Sequence, residues 1–462
     1  MLSGHLTALP CPLRCVRIMQ EHYPHWTCGF AEPGKEEEQM DVNSALYGQF
    51  LSILREELAP ALGCTEPIAI AYAAAVAAEK AGRPPRSIHV ECSGNIIKNV
   101  KSVIVPNSDG MRGIAAAALL GALGGDPAKK LEVLETVRPE HIAQARQMEA
   151  DGICTVSLAE GRMGLYIRLT LECGAHTAAV TLCGSHTNIT ELTVDGEPLV
   201  RKDFAGQEET DRSGLSLSAI LDFAQTAALD DLTPILEPQW RYNLAISQEG
   251  LTGEYGAQVG RTLLACSCPD DLFARLRASA AAGSDARMNG CTMPVVINSG
   301  SGNQGITVSV PVILYGLSKG LPQETIYRAL ALSNLTAIYQ KAGIGRLSAY
   351  CGAVSAAVGA AAGITWLSGG GLREIGMTVV NGLANVSGIV CDGAKASCAA
   401  KIAAALEGSL LGHRLAMAGR CFAPGDGIVQ PTADETVVTV GRLGRDGMRE
   451  TDIEILNIML GH

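Results

Sequence analysis

The stretch AVSAAVGAAAGITWL, residues 353–367, runs fifteen positions without a charge and is built mostly from Ala, Gly and Val. A bilayer-spanning helix needs about 20 apolar residues, so this run is too short to cross a membrane. IAIAYAAAVAAEKAG and ITVSVPVILYGL have the same character and the same shortfall. What remains is a set of buried helices whose small side chains let backbones approach closely. Composition agrees: 47% of residues are apolar, 18% charged and 4% aromatic. That bounds the chain to a large soluble core of 462 residues.

The formal charge is −11, with no Lys/Arg block and no aromatic-basic interleaving, which argues against nucleic acid as a partner and for a small-molecule ligand. Fifteen cysteines is an odd count in a long chain with no secretory signal. A reducing, cytoplasmic setting fits, where grouped thiols serve metals or catalysis more often than crosslinks.

Along the chain, Leu46, Phe50, Leu51, Leu54 and Leu58 recur at helical spacing. PALGCTEP breaks the pattern, and a second helix then runs to Gly82 and the Pro84-Pro85 pair. From Ser87 the texture alternates: SIHVEC, SVIVP, CTVSLAE, LYIRLTLEC and HTAAVTLCG predict strands. GIAAAALLGALGG and residues 128–150 predict helices between them. Beyond Trp240 alanine-rich helical patterning returns. The expected class is α+β. Residues 1–42 read as a disordered leader, and Met40 as an alternative start. Residues 43–85 and 241–462 form a helical domain from both chain ends, with an α+β domain, 86–240, inserted.

Three constellations carry chemistry. Cys391 ends one element beside an Asp-Gly turn, Cys398 opens a helix with Ser397 as its cap, and Cys351 begins another helix. These thiols either converge on one metal centre or are buried as small hydrophobes. The second is NSGSGNQGITVSVPV, where Gly300, Gly302 and Gly305 satisfy G-x-G-x-x-G. Pro311, in the segment where a crossover helix belongs, counts against a dinucleotide. A loop bearing Ser299, Ser301, Asn303 and Gln304 suits a carboxylate, with Arg287 or Arg346 as charge partner, and a plain polar turn is the alternative. The third is LGCTEPIAIAY. Pro67 suits a first helical turn, with Cys64 or Thr65 as cap and Glu66 beside them. A thiol there meets the helix dipole, which favours its thiolate.

ALGCTEP, SQEGL (247–251), SDARM (284–288), NSGSGNQGI, RLSAYCGA and SGIVCDGAKASCA together resemble the L-cysteine desulfidase family, related to the alpha chain of iron–sulfur L-serine dehydratases. The resemblance runs from about Leu46 to the C-terminus. It implies a 4Fe–4S cluster on Cys351, Cys391 and Cys398 with one iron left for substrate, no pyridoxal phosphate, and a helical part that is the catalytic domain of a homodimer. The six-residue gap between Cys391 and Cys398 is shorter than in the dehydratases. The implied reaction takes L-cysteine and water to pyruvate, ammonia and hydrogen sulfide. Cys64 is then the base, and Thr65, Glu66, Arg287, Ser299, Ser301, Gly302, Asn303, Gln304 and Arg346 are the expected substrate contacts. An iron–sulfur L-serine dehydratase and a non-catalytic amino-acid or redox sensor are the rival readings.

Overall fold

The computed structural model describes residues 40–42, 44–162, 164–202, 210–345 and 348–461, and these form an α+β fold. The expected leader before Met40 and Arg346 lie outside them. Six strands, β2 (Ser87–Cys92), β3 (Cys154–Leu158), β4 (Tyr166–Cys173), β5 (His176–Cys183), β6 (Ile189–Val194) and β7 (Glu197–Arg201), form one sheet in the order β3-β2-β4-β5-β6-β7. Only the β2–β3 pair is parallel. The chain between those two passes through helices Gly94–Val100, Gly113–Gly124 and Pro139–Ala150, the long connection that parallel neighbours require. Alternation sets the faces: Ile88, Val90 and Cys92 point inward, and His89 outward.

Helix Thr65–Ala81 covers the buried face beside Gly113–Gly124. The two helices touch through their smallest residues: a Cβ on Gly121 would fall 2.2 Å from the Ala71 carbonyl oxygen. Helix Ala45–Glu57 packs into the helical layer, with Phe50 and Phe223 ring centroids 5.4 Å apart, while Thr65–Ala81 belongs to the sheet layer. The chain changes layer at Cys64. Trp240 lies inside helix Leu229–Thr252 rather than at a boundary. SVIVP forms no strand; Ile104 makes only a single bridge to Arg112.

The helical layer is built around Gly352–Leu367, which packs on Gln323–Ile344, Gly302–Ser318, Leu372–Val386 and Cys398–Met417. Pro311 does not end its helix; Gly302–Ser318 runs through it. Among the described residues, no helix is long and apolar enough to cross a membrane. A short ribbon links the layers: β1 (Pro60–Leu62) pairs antiparallel with β8 (Pro294–Val296).

Candidate active site

That ribbon brings two distant strings together. Past β1 come Gly63, Cys64 and Thr65; past β8 comes the turn Asn298–Ser301, closed by Ser301 N–H to Asn298 O at 3.0 Å. Ser299 (φ 50°) and Gly300 (φ 78°) both adopt left-handed backbone, the requirement of a type I′ turn. Ser299 is held there from behind. Its hydroxyl donates to Asn298 Oδ1 (2.9 Å), Asn298 Nδ2 donates to Asn334 Oδ1 (2.9 Å), and Gln239 Nε2 donates to the same oxygen (3.0 Å). All these side chains are buried, so the turn rests on a paired amide network.

Ser301 caps helix Gly302–Ser318, accepting from Gln304 N–H. The glycines after it serve close approach rather than a dinucleotide. A Cβ on Gly302 would meet Arg287 Nε at 2.3 Å, and one on Gly305 would meet the Val296 carbonyl at 2.0 Å. Arg287, buried at the end of helix Leu272–Met288, donates to Gly63 O (2.8 Å) and Asn303 Oδ1 (3.1 Å). Two of its nitrogens are thus committed to protein acceptors, and the residue clamps the two loops to each other.

The thiols gather on the facing wall. An antiparallel bridge joins Tyr350 and Val390, with Cys351 N–H donating to Ile389 O (3.1 Å) and Cys391 N–H to Ala349 O (2.6 Å). Cys351 and Cys391 therefore follow their bridge partners on adjacent strands of backbone. Cys351 is the N-cap of Gly352–Leu367, and Cys398 opens Cys398–Met417. Ser397 occupies the cap position but makes no side-chain cap bond. The Lys395 amide instead donates to Cys398 Sγ (3.4 Å). Between them Gly393 (φ 95°) passes so close to the sheet layer that a Cβ would lie 2.2 Å from Lys98 O.

These walls enclose a cavity of about 350 Å³ lined by Cys64, Glu66, Arg287, Ser299, Ser301, Asn303, Gln304, Cys351, Cys391 and Cys398. Gly302 stands behind the loop against Arg287. Thr65 is buried behind the wall, its Oγ1 3.1 Å from both Glu66 Oε2 and Gly300 O, with one proton to donate to either. Sequence reasoning missed Lys98, Lys341, Lys401 and His186, which line the same cavity. They sit in ordinary helices and a strand connection, with no local motif to single them out. Cys291 is buried elsewhere, beside Tyr255. SQEGL makes a helix contact: a Cβ on Gly250 would lie 1.9 Å from Ala282 O.

Four helices start at this cavity, those opening at Thr65, Gly302, Gly352 and Cys398, and each brings a positive dipole end to its wall. Burial nonetheless dominates the thiols. It pushes Cys64 up to about 12, against the Arg287 guanidinium, and raises Cys351 and Cys398, with Cys391 adding to both. Burial therefore opposes the helix-favoured thiolate expected at Cys64. Burial likewise lowers Lys341 to about 8, opposed by Cys391 and Cys351. Among the described residues, no three His, Cys, Asp or Glu side chains are close enough to hold a single metal ion.

Residues 128–457 match the family model described as serine dehydratase alpha chain. Three similar chains are each named as a UPF0597 protein. One from Lachnoclostridium phytofermentans is 50% identical over 417 residues, covering 90% of this chain and 100% of that one. One from Treponema denticola is 46% identical, covering 91% and 100%, and one from Bacteroides fragilis is 39% identical, covering 89% and 97%.

Proposed function

The chain belongs to the serine dehydratase alpha-chain family, and on that premise we propose that it is an iron–sulfur-dependent L-cysteine desulfidase. Family membership supports a lyase of the amino-acid dehydratase/desulfidase type; the choice of cysteine and of the cluster is our reading. One observation carries it: thiols from three places in the chain, Cys351, Cys391 and Cys398, line one cavity with Cys64 and the Ser299–Asn303 loop.

The donor set fits a 4Fe–4S group. In such a cluster each cysteine binds a different iron, so the thiols stand farther apart than ligands of one ion. Thiolates there are anionic, and Lys98, Lys341 and Lys401 with the helix ends supply the opposing charge. Gln304 Oε1 is buried without a hydrogen-bond partner among the described residues, an acceptor left over for a ligand. Cys351, Cys391 and Cys398 would hold the cluster, and its unligated iron would supply Lewis acidity at the substrate's β-substituent.

The remaining work falls to the chain. The Ser301 hydroxyl and the main-chain amides of the Ser299–Asn303 loop bind the substrate carboxylate, as helix N-termini bind anions. Arg287 keeps that loop against Gly63 and so fixes the carboxylate relative to Cys64. Cys64 Sγ, as the thiolate that the Arg287 guanidinium favours against burial, removes the α-proton. The C–S bond breaks, sulfide leaves, and the released aminoacrylate takes up water to give pyruvate and ammonia.

Anaerobic protein reconstituted with iron and sulfide is given L-cysteine and L-serine separately. Sulfide from cysteine exceeding pyruvate from serine is expected; the reverse order makes the protein a serine dehydratase. Cys398→Ala should lose iron and activity together, and full iron occupancy in that variant would remove Cys398 from the ligand set.

A further inference from the structure

The cavity wall holds four cationic side chains, Lys98, Arg287, Lys341 and Lys401, and among its described residues a single carboxylate, Glu66. Two of those cations answer to acids outside the cavity: Lys98 pairs with Asp452, and Lys401 with Asp392. Glu66 is held differently. Asn99 Nδ2 donates to Oε1 (3.1 Å) and the Thr65 hydroxyl to Oε2 (3.1 Å), and both partners are neutral and buried. A carboxylate accepts about four hydrogen bonds, so two of its sites remain for a guest.

We propose that Glu66 receives the α-ammonium of the substrate and is what makes this site select α-amino acids over their des-amino analogues. The assignment rests on the reading of the cavity as an amino-acid lyase site. A zwitterion needs both signs of charge a few ångströms apart, and Glu66 is the one carboxylate among the described residues of this wall. The spacing agrees. Thr65 Oγ1 lies 3.1 Å from both Glu66 Oε2 and Gly300 O, so the acid is no farther than twice that from the turn that takes the carboxylate. Cys64, two residues before Glu66, shares the wall. An amino acid bridging Glu66 and the turn presents its Cα beside that thiol, leaving the β-substituent for the cysteine triad opposite.

The test compares ligands that differ only in the amino group. On anaerobic holoprotein, KM for L-cysteine and Ki for 3-mercaptopropionate are measured in the native protein and in Glu66→Gln. Calorimetric binding of L-serine and 3-hydroxypropionate is run alongside. Loss of one charge-assisted bond predicts that Glu66→Gln weakens the amino acids about tenfold to a hundredfold and changes the des-amino acids less than about twofold. Iron content should not change. Equal weakening of both classes would make Glu66 a structural residue, and no change in either would overturn the proposal, as would a native protein that does not distinguish them. Absence of sulfide release from cysteine instead removes the desulfidase reading, and the serine pair then decides the role of Glu66.

Discussion

Cys64 is pulled in two directions: the Arg287 guanidinium and the start of Thr65–Ala81 favour its thiolate, while full burial opposes it more strongly. As the base, Cys64 would leave the iron open to substrate, whereas a fourth cluster thiolate would close it. Cys64→Ser should therefore keep its iron and show a spectral change on adding cysteine, yet release no sulfide; iron loss in that variant would make Cys64 a ligand. A second residue governs stability rather than chemistry. His413 is 5% exposed, its Nδ1 lies 2.9 Å from Thr365 Oγ1, and its ring stacks on Phe273 at 5.9 Å. Burial, with Arg414 adjacent, lowers its pKa from 6.5 to about 4. Above the unfolded value the imidazole is neutral in both states. As pH falls toward the folded value only the unfolded chain takes the proton, so stability drops, by about 2 kcal/mol near pH 5. Denaturant curves of the native protein minus those of His413→Gln should show that loss between about pH 7 and pH 5, and a flat difference would refute it.

At the scale of elements, glycine decides which helices can meet. Gly250 faces the Ala282 carbonyl so closely that an added methyl would sit 1.9 Å from its oxygen, and backbone cannot step aside as a side chain does. Gly250→Ala should cost about 3 kcal/mol or prevent folding. Gly48 is an exposed residue within helix Ala45–Glu57 with open space around it, so Gly48→Ala should gain about 0.5–1 kcal/mol, and thermal melts of the two variants should move in opposite directions. Elements of this kind were legible beforehand. Phe50, Leu51 and Leu54 mark one face of a helix by spacing alone, and Gly82 (φ 102°) ends the next helix where the sequence places its stop. The pairing of β1 with β8 was not legible, although TMPVVIN before the glycine loop reads as a strand. Three residues on each side carry no periodicity, and their partners lie more than two hundred positions apart. The site split the same way. Cys351 and Cys398 stand at helix starts and Cys391 beside an Asp-Gly turn, places that caps and turns reveal, whereas Lys341 lies in the last turn of Gln323–Ile344 and reaches the cavity only through packing.

Across the whole molecule, the cavity exists only because two layers meet. Cys64, Glu66, Lys98 and His186 come from the sheet side; the three clustered thiols and the Ser299–Asn303 loop come from the helical side. The C-terminal helix Arg449–Leu460 braces this junction although none of its residues is fully buried. Leu456 fills the space over Gly94, where a Cβ would come within 2.3 Å of it, and Lys101 Nζ donates to Met459 O. Its strongest tie is the ion pair between Lys98 and Asp452, whose side chains are 2% and 20% exposed. Lys98 also reaches toward Cys391 O (3.5 Å), so the same ammonium touches the terminal helix and the thiol wall. Removing only the acid leaves a buried ammonium without its counter-charge, which costs more than the pair itself contributes. Asp452→Asn should therefore lower stability by about 2–3 kcal/mol, whereas Lys98→Met with Asp452→Leu, which removes both charges and keeps apolar volume, should recover most of it. Urea midpoints of the native, single and double variants, at unchanged slope, measure the difference. A single variant within about 0.5 kcal/mol of native would show that Lys98 needs no fixed partner and that the terminal helix is held by Leu456 and its neighbours instead.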